Sequence, residues 1–382
     1  MSAPFFDLTP LFQAGSGGYP LYRIPGIIVT QNGVLLMYCE ARRRLDGDWG
    51  TIDLFLRRST DGGETWSAPQ QMNCLAERIP RNPAVAGQPF AHPQDQTFNN
   101  PVAIADRQPG VMHFLFCAEY MRGFYLRSLD DGLTWGQPGE ITSAVDELRP
   151  QYNWRVMAIG PGHGIQHSSG RLLAPIWLST AEGEHGHRPS VAATIYSDDG
   201  GESWHAGEIF AWDEPGQVNP SEAVLVELAD GRVMANLRTE SAHQRRLVAV
   251  SPDGARHWSH PTPDPALFEP VCCAGLARLG AHSLIFTNPD SQHKPSPDPN
   301  RPELNRHTLT LRLSYDEGQT WPVSKVIDPG LAGYSDLAVD SQGRIYCAYE
   351  RGGMSGNPYL CTQLCVARFN LTWLTDGKDT DL

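Results

Sequence analysis

The chain has 382 residues, of which 40% are hydrophobic and 19% are charged, and its formal net charge is −13 at pH 7. The composition is typical of a soluble globular protein, and the acidic charge argues against nucleic acid or an anionic membrane surface as a partner, because both favour a basic face. No run of about 18 apolar residues is present, which argues against a membrane span.

The amino-terminal segment, residues 1–20, lacks the basic stretch and apolar core of a secretory signal. The 8 cysteines follow neither the disulfide framework of a small secreted domain nor the paired spacing of a zinc site. These observations favour a cytoplasmic location and predict reduced, buried thiols.

The first predicted elements are two strands within GIIVTQNGVLLMYCEA, residues 26–41, which flank an Asn-Gly hairpin turn. Further short runs of strand character lead into a turn motif of the pattern SxDxGx[ST]W, complete in four copies and degenerate in a fifth. The copies begin at Ser59, Ser128, Ser197, Ser251 and Ser314, the one at Ser251 being degenerate. Asp and Gly suit a tight turn, and the Trp that follows is predicted to pack into the adjoining core.

The spacing of the motif indicates a repeat architecture. Its copies lie 54 to 69 residues apart, and no helical periodicity separates them. Units of about 64 residues with four strands each are typical of β-propeller blades. The sequence therefore predicts an all-β chain folded as a six-bladed β-propeller in a single domain, residues 1–382, with a solenoid as the alternative.

The repeated motif resembles the Asp-box of sialidases (neuraminidases). The segment YRIP, residues 22–25, resembles the amino-terminal arginine motif of that family, and further family segments follow in the same order up to residue 350. This resemblance covers nearly the whole chain. It implies a retaining exo-α-sialidase that hydrolyses terminal sialic acid from glycoconjugates.

The resemblance implies three arginines that bind the substrate carboxylate, namely Arg23, Arg238 and Arg306. A planar guanidinium with several donors suits a carboxylate better than an ammonium does. Arg301, in the Pro-rich region just before Arg306, is the alternative for the third arginine. Glu350, in YCAYERG, matches the family carboxylate that orients the first arginine.

The resemblance also implies a tyrosine nucleophile, Tyr334 in AGYSDLAV, with Glu222 in NPSEAVLVEL as its base. The carboxylate on the anomeric carbon of a sialic acid would repel a carboxylate nucleophile, whereas it does not repel a neutral phenol whose proton is removed as it attacks. The structural alternatives are a half-buried strand tyrosine and a glutamate that caps a strand.

Asp48, in EARRRLDGDWGTIDLFLRRS, matches the family aspartate that protonates the leaving oxygen and then activates water. Asp46, on the same Gly-rich loop, is the alternative. Asp53 falls within a predicted strand, where a structural role is favoured. Asn100 and Trp154 are predicted to line the pocket for the N-acyl group of the sugar.

The implied chemistry needs neither a metal nor an organic cofactor. His185 and His187 lack a third ligand nearby in sequence, so no metal site is predicted there. The predicted partner is a sialylated or other acidic-sugar glycoconjugate. Two further functions stay open: a glycosidase for a related acidic (nonulosonic) sugar, since the arginines recognise only the carboxylate, and a non-catalytic carbohydrate-binding propeller. Retention of every catalytic-type residue favours the enzyme, although sequence does not separate a hydrolase from a transglycosylase.

Overall fold

The protein is described from a computed structural model, and the structure describes residues 3–73, 75–182, 185–292 and 305–380. Strands dominate these residues, and the helices are short: α1 Pro83–Ala86, α2 Thr142–Asp146 and α3 Leu371–Leu374, with 3-10 turns at Ser16–Gly18 and Met354–Gly356. Within the described ranges, no helix has the length and apolar character needed to cross a membrane.

The strands follow one another in short antiparallel meanders. In chain order they are β1 Phe6–Gln13, β2 Leu21–Val29, β3 Leu35–Arg42, β4 Ile52–Ser59, β5 Gln70–Gln71, β6 Phe98–Ala105, β7 Met112–Ala118, β8 Arg122–Ser128, β9 Gly139–Glu140, β10 Val156–Ile159, β11 Ile165–Gln166, β12 Leu172–Ser179, β13 Ser190–Ser197, β14 His205–Ala211, β15 Ala223–Glu227, β16 Val233–Leu237, β17 Arg245–Ser251, β18 Thr262–Phe268, β19 Gly275–Arg278, β20 Leu284–Pro289, β21 His307–Ser314, β22 Val323–Val339, β23 Ile345–Arg351 and β24 Gln363–Phe369.

These strands form four separate blades and one larger sheet. The blades are β2-β3-β4-β5, β6-β7-β8-β9, β10-β12-β13-β14 with β11 paired to β12, and β15-β16-β17-β18. The larger sheet has seven strands in the order β1-β24-β23-β22-β21-β20-β19. The first strand of each blade contacts its neighbours in the adjoining sheets, so the sheets are arranged around a common centre. The fold is therefore all-β and propeller-like.

The prediction of six blades is wrong, because the described residues form four separate blades and the seven-stranded sheet. The cause is β22, whose 17 residues pair with β21 through their first half and with β23 through their second half. No break in hydrogen bonding separates the units expected on either side of it. The motif spacing locates the turns but does not show that one long strand serves two neighbouring units.

The ring is closed by the amino-terminal strand. Strand β1 pairs antiparallel with β24, with Phe6 opposite Phe369. The two ends of the described chain therefore lie in one sheet, which distinguishes this architecture from the open solenoid considered as an alternative. The seven-stranded sheet depends on both ends for its complete hydrogen-bonding pattern.

The repeated motif shapes the turns between the third and fourth strands of the units, as predicted. In the first copy, the Gly63 N–H donates to Ser59 Oγ over 2.8 Å, and the Thr65 N–H donates to Asp61 Oδ1 over 3.0 Å. Gly63 has a φ of 87°, a left-handed conformation that glycine adopts without a steric penalty. The same serine and aspartate contacts recur in the copies that begin at Ser128, Ser197, Ser251 and Ser314.

The tryptophans of the motif stabilise the blades to different extents, so their replacement should have unequal effects. Trp204 is 6% exposed and belongs to a large hydrophobic cluster, whereas Trp66 is only half-buried. Trp204→Ala is expected to lower the free energy of unfolding by about 3–5 kcal/mol, because a buried aromatic ring leaves a cavity. Urea denaturation measures the loss, and Trp66→Ala should lose clearly less. Equal losses would contradict this packing account.

Candidate active site

A cavity of about 590 Å³ lies near the centre of the ring. It collects six of the predicted site residues as lining groups: Arg23, Asp48, Glu222, Arg238, Arg306 and Tyr334. The seventh, Glu350, is fully buried directly behind Arg23. Residues far apart in the sequence therefore meet in one volume.

Local backbone irregularities aim several of these side chains at the cavity. The register of the β2–β3 pair shifts between Arg23 and Gly26, and that of the β22–β23 pair shifts between Ala332 and Ser335. Such bulges redirect side chains that a regular pleat would point elsewhere. Arg238 directly follows β16, and Glu222 directly precedes β15, so both lie at strand ends.

Glu350 holds Arg23 in a fixed orientation. Arg23 donates from Nε to Glu350 Oε1 over 2.9 Å and from Nη2 to Glu350 Oε2 over 3.2 Å. The same carboxylate accepts the backbone N–H groups of Ile24 and Tyr334 at 3.1 and 3.0 Å. A Cβ atom at Gly333 would lie 2.1 Å from Glu350 Oε2, so glycine is required beside the tyrosine. One buried carboxylate thus orients both a cation and the backbone of Tyr334.

Arg306 is 1% exposed and carries donors that the described residues leave unused. Its Nη2 donates to the carbonyl of Val271, and its guanidinium lies over the ring of Tyr359 at 4.2 Å from the centroid. Its Nε and Nη1 have no hydrogen-bond partner among the described residues, and the same is true of Arg238 Nε. A buried donor without a partner is costly, and a bound anion would satisfy it. Arg301, the alternative third arginine, lies outside the described residues.

Tyr334 and Glu222 form a direct pair. The Tyr334 hydroxyl donates to Glu222 Oε1, and Arg238 Nη1 donates to Tyr334 Oη over 2.8 Å and to Glu222 Oε2 over 2.9 Å. Arg23 and Arg306 each lie with Cζ 5.2 Å from the centroid of the Tyr334 ring. The phenol is therefore the common neighbour of all three arginines.

Electrostatics keep this phenol protonated in the substrate-free protein. Burial raises the pKa of Tyr334 well above its ordinary value of 10.0, and the charge of Glu222 raises it further. The three arginines oppose the shift without reversing it. Attack by Tyr334 would therefore require a base, and the contacting carboxylate of Glu222 is the group in position to accept the proton.

Asp48 lies on the loop after β3 and is held by Arg42. Arg42 donates from Nη1 to Asp48 Oδ1 over 2.7 Å, and from Nη2 to Glu40 Oε2 over 2.7 Å. Glu40 in turn accepts the backbone N–H of Asn100 at 2.9 Å. Burial, the largest single influence, opposes ionisation of Asp48, but the positive charge and the hydrogen bond of Arg42 act together with the positive charge of Arg23 and lower the pKa of Asp48 well below its ordinary value of 3.8.

The two other aspartates of this segment have different surroundings. Asp46 pairs with Arg44 at 2.9 Å on the rim of the cavity. Asp53, on β4, accepts hydrogen bonds from Tyr19, Arg43 and Asn73 and does not line the cavity. Asp53 thus has the structural surroundings that its strand position predicted.

Several lining residues were not anticipated from the sequence. One wall is formed by Tyr120, Trp177 and His187, with Trp49 packed behind them. Burial lowers the pKa of His187 to about 3, so this ring is neutral at neutral pH. Within the described ranges, no group of three or more His, Cys, Asp or Glu side chains is arranged to hold a metal ion.

Of the two residues predicted to contact the N-acyl group, only one lines the cavity. Asn100 lines the cavity, with a φ of 52° at a bulge in β6. Trp154 does not line it: the side chain is fully buried in a hydrophobic cluster, and its Nε1 donates to the Val145 carbonyl over 3.1 Å. The prediction for Trp154 is therefore wrong. The sequence does not show whether a tryptophan in a short loop packs into the hydrophobic core or lines a pocket, and this one packs into the core.

Comparison with known proteins establishes the family. A model described as a BNR repeat-like domain matches residues 81–347, and a BNR/Asp-box repeat model matches residues 57–68. The chain is also 32% identical to the sialidase of Micromonospora viridifaciens over 402 residues, which cover 97% of this chain and 55% of that protein. The chain belongs to the sialidase superfamily.

Two further comparisons, one with a second sequence and one with a solved structure, also match sialidases. The sialidase of Bacteroides fragilis is 29% identical over 364 residues, covering 88% of this chain and 61% of that protein. The solved structure of the Hadza microbial sialidase Hz136 is 26% identical, with a TM-score of 0.71, and the match covers 94% of this chain and 68% of that one. This sialidase-superfamily chain thus spans 55% and 61% of the two curated relatives.

Proposed function

We propose that this chain is a retaining exo-α-sialidase that hydrolyses terminal sialic acid from glycoconjugates. The observation that carries the proposal is the convergence of Arg23, Arg238 and Arg306 on the Tyr334–Glu222 pair, with buried guanidinium donors that lack partners among the described residues. A carboxylate attached to the reacting carbon of the substrate would satisfy these donors and bring that carbon to the phenol. The names of the sialidase relatives support the same activity.

The proposed first step forms a covalent intermediate. Tyr334 Oη attacks the anomeric carbon while its proton passes to Glu222. The bond between that carbon and the leaving oxygen breaks, and Asp48 donates a proton to this oxygen. Charge repulsion is avoided because the phenol approaches the substrate carboxylate as a neutral group, and the arginine clamp, formed by Arg23, Arg238 and Arg306, holds that carboxylate in place.

The proposed second step reverses these proton movements. Asp48, now a carboxylate, removes a proton from a water molecule, and the oxygen of that water attacks the anomeric carbon. The bond to Tyr334 Oη breaks, and the phenolate recovers its proton from Glu222. Two displacements at the same carbon give overall retention of configuration. The proposed roles of these residues require no cofactor, which stays a prediction.

Fluorophore release from aryl α-glycosides tests the proposal. We expect release from the glycoside of N-acetylneuraminic acid, with the α-anomer of the free sugar as the first product in an NMR time course, because the proposed mechanism retains configuration. Cleavage of only a different nonulosonic glycoside would favour the related-sugar alternative. Binding of the sugar without any cleavage by the folded protein would favour the non-catalytic carbohydrate-binding alternative.

The Arg42–Asp48 pair should set the pH dependence of the reaction. A general acid must be protonated in order to donate, so kcat/KM falls as the pH rises through the pKa of Asp48. Arg42→Met removes the charge that lowers this pKa, so the falling limb is expected to move to higher pH, by about one to three units. Steady-state kinetics across pH measure the shift.

Arg43→Met is the matched control for this prediction. Arg43 is the next residue along, but it pairs with Asp53 and its side chain is 52% exposed. Its removal should leave the pH limb in place. A folded Arg42→Met variant whose limb does not move would show that Arg42 does not control the proton on Asp48.

A further inference from the structure

Two exposed apolar side chains stand at the mouth of the cavity. Phe90 is 63% exposed and Leu45 is 43% exposed, and both line the cavity. The other large hydrophobic side chains with high exposure among the described residues, such as Trp212 and Leu129, do not line it. Exposed apolar surface beside a polar, charged cavity is a feature of binding sites.

The backbone at Phe90 is strained and held in place. Its φ is 65°, a left-handed conformation that is rare for a bulky aromatic residue. Arg44 Nη2 donates to the Phe90 carbonyl over 2.6 Å and to Asp95 Oδ2 over 3.1 Å, while Arg44 Nε donates to Asp46 Oδ1 over 2.9 Å. Such strain persists only where the surroundings enforce it, and it is found preferentially at functional sites.

The same contacts place Phe90 on the Asp48 side of the cavity. Arg44, Leu45, Asp46 and Asp48 belong to one loop after β3, and Arg44 joins this loop to Phe90. If Asp48 protonates the leaving oxygen, the group attached to that oxygen must lie on this side of the bound sialic acid. On this assignment, the exposed ring of Phe90 and the methyl groups of Leu45 lie on the path of the leaving group.

We propose that Phe90, together with Leu45, forms a binding platform for the sugar to which sialic acid is linked. The proposal rests on the proposed sialidase activity and adds a subsite for the leaving group. A pyranose presents a face of C–H groups that packs on an aromatic ring, while its hydroxyls remain in water at the rim. This chemistry suits an exposed Phe better than it suits the charged interior of the cavity.

Two substrates that differ only in the leaving group test the platform. Sialyllactose offers a sugar to Phe90, whereas the glycosyl fluoride of N-acetylneuraminic acid offers a single atom. Phe90→Ala is expected to lower kcat/KM for sialyllactose by about three- to tenfold, mainly through KM, and to leave kcat/KM for the fluoride unchanged. Phe90→Trp should retain the activity toward sialyllactose.

Trp212→Ala provides the matched control, because Trp212 is an exposed aromatic residue that lies outside the cavity. This variant should leave kcat/KM unchanged for both substrates. Equal losses on both substrates in Phe90→Ala, or no loss on either, would overturn the platform while leaving the sialidase proposal intact. If the unaltered protein cleaves neither substrate, the sialidase proposal itself would be overturned.

Discussion

Tyr334→Phe is expected to lower kcat by at least about a thousandfold, because the variant loses the atom that forms the covalent bond. Binding of free N-acetylneuraminic acid should persist, since Arg23, Arg238 and Arg306 remain. Steady-state kinetics with the aryl glycoside, combined with calorimetric titration of the free sugar, separate the two effects. A variant that retains full turnover would leave Tyr334 as an ordinary strand residue.

Tyr359→Phe is the matched control for this change. Tyr359 lines the same cavity, and the guanidinium of Arg306 also lies over its ring, but it does not contact Glu222 in the way that Tyr334 does. It should retain most of the turnover. A 3-fluoro sialyl fluoride should label Tyr334 in the unaltered enzyme, as shown by mass spectrometry of a digest. A label on Glu222 or Asp48 would indicate a carboxylate nucleophile.

Arg306→Lys is expected to lower kcat/KM by at least about a hundredfold, because an ammonium cannot reproduce two directed, charge-assisted hydrogen bonds to a carboxylate. The guanidinium lies over the ring of Tyr359, and its Nε and Nη1 are the donors that have no partner among the described residues. A lysine would keep the charge but lose this geometry. Affinity for free N-acetylneuraminic acid should fall in parallel.

Arg301→Lys distinguishes between the two sequence-based assignments of the third arginine. Arg301 and Arg306 belong to the same stretch of the chain, so the two variants differ little in location. The Arg301 variant is expected to keep the kcat/KM of the unaltered protein. The opposite pattern, with loss in Arg301→Lys alone, would transfer the role to Arg301.

The turns of this fold were predictable because each depends on residues that are adjacent in sequence. Ser59, Asp61 and Gly63 bond within one turn, so their pattern alone determines its shape. The number of blades was not predictable in this way. Whether β22 ends after its first half or continues into the next set of strands depends on pairing with β21 and β23, which is a non-local property.

The site shows the same division between local pattern and long-range packing. Arg23 and Tyr334 stand in segments that resemble family motifs, so both could be predicted as site residues without a structure. Phe90 and Tyr359 carry no such pattern, since an aromatic residue in a loop is more often a packing residue. Arg42 follows Glu40 by two positions on β3, which places both on one face. That spacing was the available signal for the buried pair behind Asp48.

Ring closure by β1 and β24 has a consequence for biosynthesis. Arg23 and its partner Glu350 are 327 positions apart, so Arg23 leaves the ribosome well before Glu350 has been synthesised. A nascent chain therefore carries a cation destined for burial long before the carboxylate that neutralises it exists. Contacts of such long sequence separation are slow to form. The clamp should consequently be among the last features to assemble, and a chain released before Glu350 should have neither the oriented arginine nor the closed ring.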